Sequence, residues 1–386
     1  MHSELNDQTI AETTTARSAY IHVPFCRHRC GYCNFTLIAG RSDLHTKYIE
    51  ALGQELSLLQ TPRSVDTLFI GGGTPTELCH EHLQQLLKLV SQWFPLTAEG
   101  ELSLEANPAD VDTHLVDLLC AEGVNRVSLG GQSFDRSKLK WLERDHNEIC
   151  LQNSFELLRK KIAAVSMDLI FGTPGETVPM WETEVEQLLD LQPNHISTYG
   201  LTIEKGTSFW TRQQRGDFEL PSEEVLREMY LLARHKLQGQ GYEHYEVSNF
   251  ALPGYHCRHN ETYWLGAPYY AAGPGAARYI DGRREVNHRS TITYLKKIAA
   301  GESVVAESEI IQGRERAREV LVFALRRLCG ITPAWFKSTT GFDLMILRGE
   351  QIDRFVQLGL LAWHDGYLRL TEEGLLVSDS IWPELM

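Results

Sequence analysis

No stretch of these 386 residues has the length and apolarity of a membrane span. Positive charge is also in short supply. Against 51 Asp and Glu stand 37 Lys and Arg, a formal net charge of −14. Polyanions recruit basic surfaces, so broad nucleic-acid binding is excluded. Docking on a membrane surface through a local basic patch is not. The opening residues are polar and acidic without an apolar run, so no signal peptide is expected. Residues 1–16, through the Thr13-Thr14-Thr15 run, read as a disordered segment. A disulfide framework is missing too. Cys79, Cys120, Cys150, Cys257 and Cys329 are scattered, most of them in apolar segments where a thiol is a small hydrophobe. A reducing, cytoplasmic compartment follows. Finally, no G-x-G-x-x-G opens a strand–helix unit, which argues against a dinucleotide-binding doubly wound sheet.

What is present is a cysteine triplet. Cys26, Cys30 and Cys33 form C-x3-C-x2-C within Phe25-Cys-Arg-His-Arg-Cys-Gly-Tyr-Cys33. Three thiolates at this spacing suit three irons of a [4Fe–4S] cluster and leave one iron open to a small molecule. Clusters that only carry electrons normally have four cysteines. Zinc is the competing metal. It needs a fourth ligand, which His22 or His28 offers.

Beyond the triplet, apolar β-rich runs alternate with amphipathic stretches. Strands are expected at Ala19–Val23, Thr67–Ile70, Leu102–Glu105, Arg126–Leu129, Ser166–Ile170 and His195–Tyr199. Helices are expected at His45–Leu59, His82–Trp93, Val111–Ala121 and Trp181–Leu191. Strand–helix units in series predict a parallel sheet with crossover helices, and a complete or partial barrel in particular. Nearly every strand runs into glycine or polar residues. After the Cys loop come Gly71-Gly-Gly-Thr-Pro75, Glu105-Ala-Asn-Pro108, Gly130-Gly-Gln-Ser133, Asp168 with Gly172-Thr-Pro-Gly175, and Tyr199-Gly200. Chemistry in βα barrels collects at strand C-termini, so one cavity can gather all of these. Singly, each is an ordinary turn. Their repetition is the signal.

These motifs resemble the radical S-adenosylmethionine (SAM) superfamily. Tyr20-Ile-His-Val-Pro-Phe-Cys26, the triplet, Gly71–Pro75, Leu104–Pro108, Ser128–Ser133 and Asp168–Gly172 are similar, in order, to the oxygen-independent coproporphyrinogen III oxidase branch. The resemblance runs from about Tyr20 to the C-terminus. Two details resemble the heme-chaperone (HemW) group of that branch. Phe35 stands where the oxidases have a further cysteine, and His259-Asn-Glu-Thr-Tyr-Trp264 matches HNxxYW. One departure is Ala277, where relatives often carry histidine after the Gly-Pro-Gly loop.

The resemblance implies a partial (β/α)6 TIM-like radical-SAM barrel over 17–250, a connecting segment with HNxxYW over 251–312, and a small C-terminal α+β domain over 313–386. It implies that Cys26, Cys30 and Cys33 hold the [4Fe–4S] cluster. SAM would be contacted by Tyr20, Tyr32, Gly72, Gly73, Thr74, Glu105, Gly200 and Ala276, and a second SAM by Gln132, Arg144 and Asp168. His259 is the heme candidate, with His256 and Cys257 nearby. The implied function is a heme chaperone serving membrane-bound heme proteins of the respiratory chain, in contact with the inner membrane only at its periphery. A homodimer is compatible with it. The rival implication is an enzyme, a coproporphyrinogen III dehydrogenase.

The C-terminal pattern is independent of that resemblance. Helices are expected at Glu315–Cys329 and Asp343–Leu358, then a hairpin over Leu361–Leu370 turning at Asp365-Gly366, then a helix start at Thr371. This order predicts a winged-helix-like unit. It has no basic excess, so DNA binding is not expected of it.

Overall fold

The computed structural model describes residues 15–386. The segment expected to be disordered therefore lies, apart from Thr15 and Ala16, outside the described residues. Six strands form the centre: β1 (Ser18–Val23), β2 (Val65–Gly72), β3 (Leu96–Ala106), β4 (Arg126–Gln132), β5 (Ala164–Phe171) and β6 (His195–Gly200). They lie side by side in chain order and all run parallel. Each expected strand falls inside one of them. Parallel strands covered on both faces read as continuous apolar runs, and β5 is buried at seven of its eight positions.

Helices α1 (His45–Ser57), α2 (His80–Trp93), α3 (Thr113–Ala121), α4 (Arg136–Trp141), α5 (Glu148–Leu158) and α6 (Val178–Leu191) return the chain between strands. Three of them start at a side-chain cap. Asp112, Asp135 and Asn147 accept from the N–H of Leu115, Lys138 and Cys150. The pair α4 and α5 was not expected. Between the sheet and its helices, Trp181, Tyr48 and Phe155 are fully buried. Each such side chain contributes roughly 1.5–3 kcal/mol by leaving water.

The sheet does not close. After α7 (Ser208–Gln214) and α8 (Glu223–Gly239), β7 (Glu243–Glu246) and β8 (Asn249–Ala251) add antiparallel beyond β6. Past α9 (Arg258–Trp264), β9 (Tyr270–Ala272) pairs parallel with β1 at the other edge. The result is a partial barrel of order β9-β1-β2-β3-β4-β5-β6-β8-β7. A three-stranded antiparallel sheet follows, built from Ala277–Ile280, Arg283–Asn287 and Val305–Ile310.

The C-terminal residues build a second apolar core around Leu321, Phe336, Leu344, Ile352 and Leu368. Its helices Gly313–Leu325, Pro333–Thr340 and Leu344–Gln357 precede a hairpin of Leu361–His364 with Tyr367–Leu370. The hairpin turns at Asp365 (φ 50°) and Gly366 (φ 79°), the left-handed pair of a tight turn. Ile331 adds a bridge to Leu368, completing a winged-helix-like arrangement. Helix ends shift by one to three residues from expectation, and one shifts by a full turn. The helix thought to reach Cys329 stops at Leu325, because Arg327 bridges to Glu246 and the Leu328 N–H bonds the Tyr245 carbonyl at 3.0 Å. Pairing with β7 outcompetes the last helical turn. Among the described residues, no helix is long and apolar enough to cross a membrane.

Candidate cofactor site at the strand ends

The C-terminal ends of the parallel strands surround a cavity of about 700 Å³. The Cys loop forms one wall. Phe25–Cys26 pairs with Ile38–Ala39 and closes the loop at its base. Arg29 donates to the carbonyls of Leu37 (2.9 Å), Cys33 (3.3 Å) and Phe35 (3.4 Å), gathering the loop from inside. Arg27 points the other way, to Asp110 (2.6 Å), Asp145 (3.1 Å) and Glu77 (3.6 Å), acids that follow other strands. Behind the loop, His22 Nε2 donates to the Thr36 carbonyl at 2.7 Å, so its Nδ1 accepts from the Tyr20 hydroxyl at 3.0 Å.

The glycine run after β2 is pressed against this loop. Gly73 N–H donates to the Val23 carbonyl (2.8 Å) and Thr74 N–H to the Phe25 carbonyl (2.7 Å). A Cβ on Gly73 would lie 2.5 Å from that Phe25 oxygen, and one on Gly71 would lie 2.8 Å from the Glu105 carboxyl. Gly72, at φ 116°, donates its N–H to Glu105 Oε2 at 2.9 Å. Thr74 Oγ1 sits 3.4 Å from Cys26 Sγ.

Acids line the floor. Burial pushes Glu105 up to about 7, against the bond from Gly72, and the nearby Asp168 adds to the rise. Burial also raises Asp168, though Ser128 Oγ (2.9 Å) and Ser166 Oγ (3.2 Å) donate to it. Burial pushes the Cys26 thiol up to about 12 and raises Cys30 and Cys33. Arg144 acts against burial at all three thiols. Its NH2 group donates to Asn107 Oδ1 and to the Gly130 carbonyl, both at 3.0 Å, and its Nη1 lies 4.0 Å from Cys30 Sγ.

The residues present fit a cluster with SAM. The donors are three thiols on one loop beside an open cavity. The Gly71–Gly73 cradle has no room for a side chain on the Cys-loop side. The buried Arg144 Nε has no partner in the protein. Among the described residues, no three His, Cys, Asp or Glu side chains are grouped to hold a single metal ion. A cluster makes no such demand, because each thiolate takes its own iron.

The cavity lining brings together Cys26, Cys30, Cys33, Tyr32, Gly72, Gly73, Thr74, Glu105, Gln132, Arg144, Asp168 and Gly200. Three expected residues lie outside it. Tyr20 is spent on His22. Ala276 is buried in a turn behind the Cys loop, where its carbonyl accepts from Asn287 N–H at 3.0 Å. His259 is 1% exposed, with Nδ1 at 2.9 Å from Thr67 Oγ1, Nε2 at 2.8 Å from the Tyr263 hydroxyl and its ring stacked on Phe69. Burial holds its pKa down to about 3. His256 bonds Glu243, and Cys257 is buried beside Glu101.

Sequence reasoning assigned no role to Asn107, which accepts from Arg144 and donates to Asp145 at 3.0 Å. Nor did it place Phe35 at the cavity mouth, where it is 67% exposed. Asn-Pro is a common turn signal, so nothing in the sequence marks Asn107 as more than that.

The chain is 34% identical to the heme chaperone HemW of Lactococcus lactis over 370 residues, which is 96% of this chain and 97% of that protein. It belongs to the HemW family. The HemW of Escherichia coli is 32% identical over 94% of this chain and 96% of its own length. Residues 20–188 match the radical SAM superfamily and residues 311–377 the HemN C-terminal domain. Among solved structures, the coproporphyrinogen III oxidase HemN from Escherichia coli, described as a radical SAM enzyme, superposes with a TM-score of 0.84 at 21% identity. It covers 96% of this chain and 90% of that one. That likeness is one of fold. The HemW-family chain shares with it the partial barrel and the winged-helix-like C-terminal unit.

Proposed function

We propose that this HemW-family chain is a heme chaperone that carries a [4Fe–4S] cluster on Cys26, Cys30 and Cys33, binds SAM, and passes heme to membrane-bound heme proteins of the respiratory chain. Similarity to heme chaperones over nearly the whole chain supports the heme part. The single observation carrying the cofactor part is the cavity, where the Cys loop meets the Gly71–Gly73 cradle, Glu105 and Arg144. With SAM bound, the cluster supplies one-electron chemistry at the sulfonium. The protein's own part is to bind and orient. The Gly72 and Gly73 backbone allows close approach of the methionyl group, Glu105 accepts from the SAM amine or ribose, and Arg144 meets a carboxylate.

Heme ligation by His259 requires its bond to Thr67 or to Tyr263 to open. The test is heme titration of cluster-loaded protein beside an anaerobic coproporphyrinogen assay. Saturable heme binding without turnover is expected, and binding weakens in His259→Ala. Absence of saturable binding overturns the chaperone reading. The oxidase reading keeps one specific support, since Gln132, Arg144 and Asp168 line the same cavity. Turnover of coproporphyrinogen would put it first.

A further inference from the structure

The Arg144 guanidinium is fixed in an unusual position. Its NH2 end is pinned from two sides, by Asn107 Oδ1 and the Gly130 carbonyl at 3.0 Å each. The fork is rigid and planar, so pinning one nitrogen aims the other. That other nitrogen, Nη1, faces Cys30 Sγ at 4.0 Å. The neighbouring Asp145 acts on Arg144 through space without an ion-pair contact, its oxygens held by Arg27 at 3.1 Å and Asn107 at 3.0 Å, and Glu143 turns toward Arg212 at 3.9 Å. Among the described residues no carboxylate lies within ion-pair distance of Arg144, and its buried Nε has no partner. A cation is thus held in a low-dielectric wall, aimed at a cluster sulfur.

We propose that Arg144 is a positioning residue that raises the reduction potential of the [4Fe–4S] cluster by donating to the Cys30 sulfur. This rests on the cofactor part of the proposed function. Reduction by an external one-electron donor adds a negative charge to a centre that three thiolates already make anionic. No bond breaks and no proton moves. A fixed cation beside one sulfur stabilises the reduced form more than the oxidised form, and hydrogen bonds to sulfur and local charge are the levers that set cluster potentials. The same group that welcomes a carboxylate in the cavity therefore also makes the cluster easier to reduce.

The test is EPR-monitored potentiometry on reconstituted, SAM-free protein, with iron and sulfide counted in every sample. In Arg144→Met the reduced-to-oxidised ratio at fixed potential falls about tenfold, a midpoint ~59 mV lower for a one-electron couple. Arg144→Lys keeps the charge and recovers most of the shift. Asn107→Leu removes one of the two acceptors that pin Arg144 without setting a charge beside Asp145, so Nη1 is aimed less well and the midpoint drops by a smaller step. This variant decides the matter where Arg144→Met fails to load its cluster. Wild-type midpoints in Asn107→Leu and in any loaded Arg144→Met overturn the proposal. Wild-type protein that takes up no cluster instead sinks the proposed function.

Discussion

Replacing Gly73 by alanine adds one methyl group against the backbone of the Cys loop. The new Cβ would stand 2.5 Å from the Phe25 carbonyl oxygen and 3.0 Å from the Phe25 carbonyl carbon and nitrogen. These are backbone atoms, so no rotamer change relieves the contact. Something must move by roughly 1 Å to restore ordinary van der Waals spacing. The pressed oxygen is also the acceptor of the Thr74 N–H at 2.7 Å, and the next residue is Cys26. Overpacking of this kind costs about 1–3 kcal/mol. Set against a typical stability of ~5–15 kcal/mol, that leaves the fold intact. The site fares worse, because about 1–3 kcal/mol lost from a binding interaction is roughly 5–150-fold in affinity. Thermal unfolding, iron and sulfide content after anaerobic reconstitution, and calorimetric SAM affinity measure the two effects separately. The expected result is a small loss of stability with SAM affinity down by roughly one to two orders of magnitude. Gly175→Ala is the control. At φ 77° with nothing within 4 Å of its Cβ, it carries backbone strain only. Gly73→Ala with unchanged cluster content and SAM affinity refutes the cradle.

Two further outcomes follow from charge. Glu105 is raised to about 7 in the folded protein, so between the ordinary carboxyl range near ~4.3 and 7 the native state binds more protons than the unfolded state. Stability therefore falls as pH rises across that window and levels off above it, while SAM affinity climbs as the carboxylate forms. Glu105→Gln removes both slopes, and a variant that keeps them assigns the titration to another group. Lys138 is buried between Glu176 (2.6 Å) and Glu184 (2.8 Å). Lys138→Met leaves two buried acids facing each other and costs about 3–5 kcal/mol by urea unfolding, and adding Glu184→Gln restores part of it. A single variant as stable as wild type would show that the triad adds nothing.

The strand ends were legible because parallel strands are apolar throughout, and the polar or glycine residue that ends each one stands out against the run. Gly72, Gly73, Glu105, Gln132, Asp168 and Gly200 could be read from that edge, whereas Arg144, which follows α4, could not. The short strands β7, β8 and β9 could not. With three or four residues each, they carry too little periodicity to separate from loop. Helix Gly313–Leu325 was drawn too long for a related reason. Its amphipathic pattern continues through Arg326–Cys329, but a strand distant in sequence claims those residues. His259 stood out as a motif, yet its surroundings did not. Thr67 and Phe69, which close over its ring, lie on β2 and are brought there only by the fold.

The Cys loop shows why spacing alone says so little about such a site. C-x3-C-x2-C fixes which thiols share a loop, but the loop's shape comes from residues between and around them. Arg27 and Arg29 alternate, so one reaches outward to acids after β2, β3 and α4 while the other binds carbonyls within the loop. Ion pairs whose cation stays in water contribute little to global stability. Arg27 is half exposed, and its three largely buried acids follow β2, β3 and α4. Its effect is therefore local. It joins the loop to the part of the barrel that also carries Asn107 and Arg144, through Asp145. Tyr20 and His22 brace the same loop from below. With side chains holding it from the rim, from within and from behind, the loop is shaped by protein contacts before any cofactor is considered. The thiols, all raised by burial, are what change protonation when metal binds. On the proposed function, loading the cluster therefore releases a proton from each of Cys26, Cys30 and Cys33.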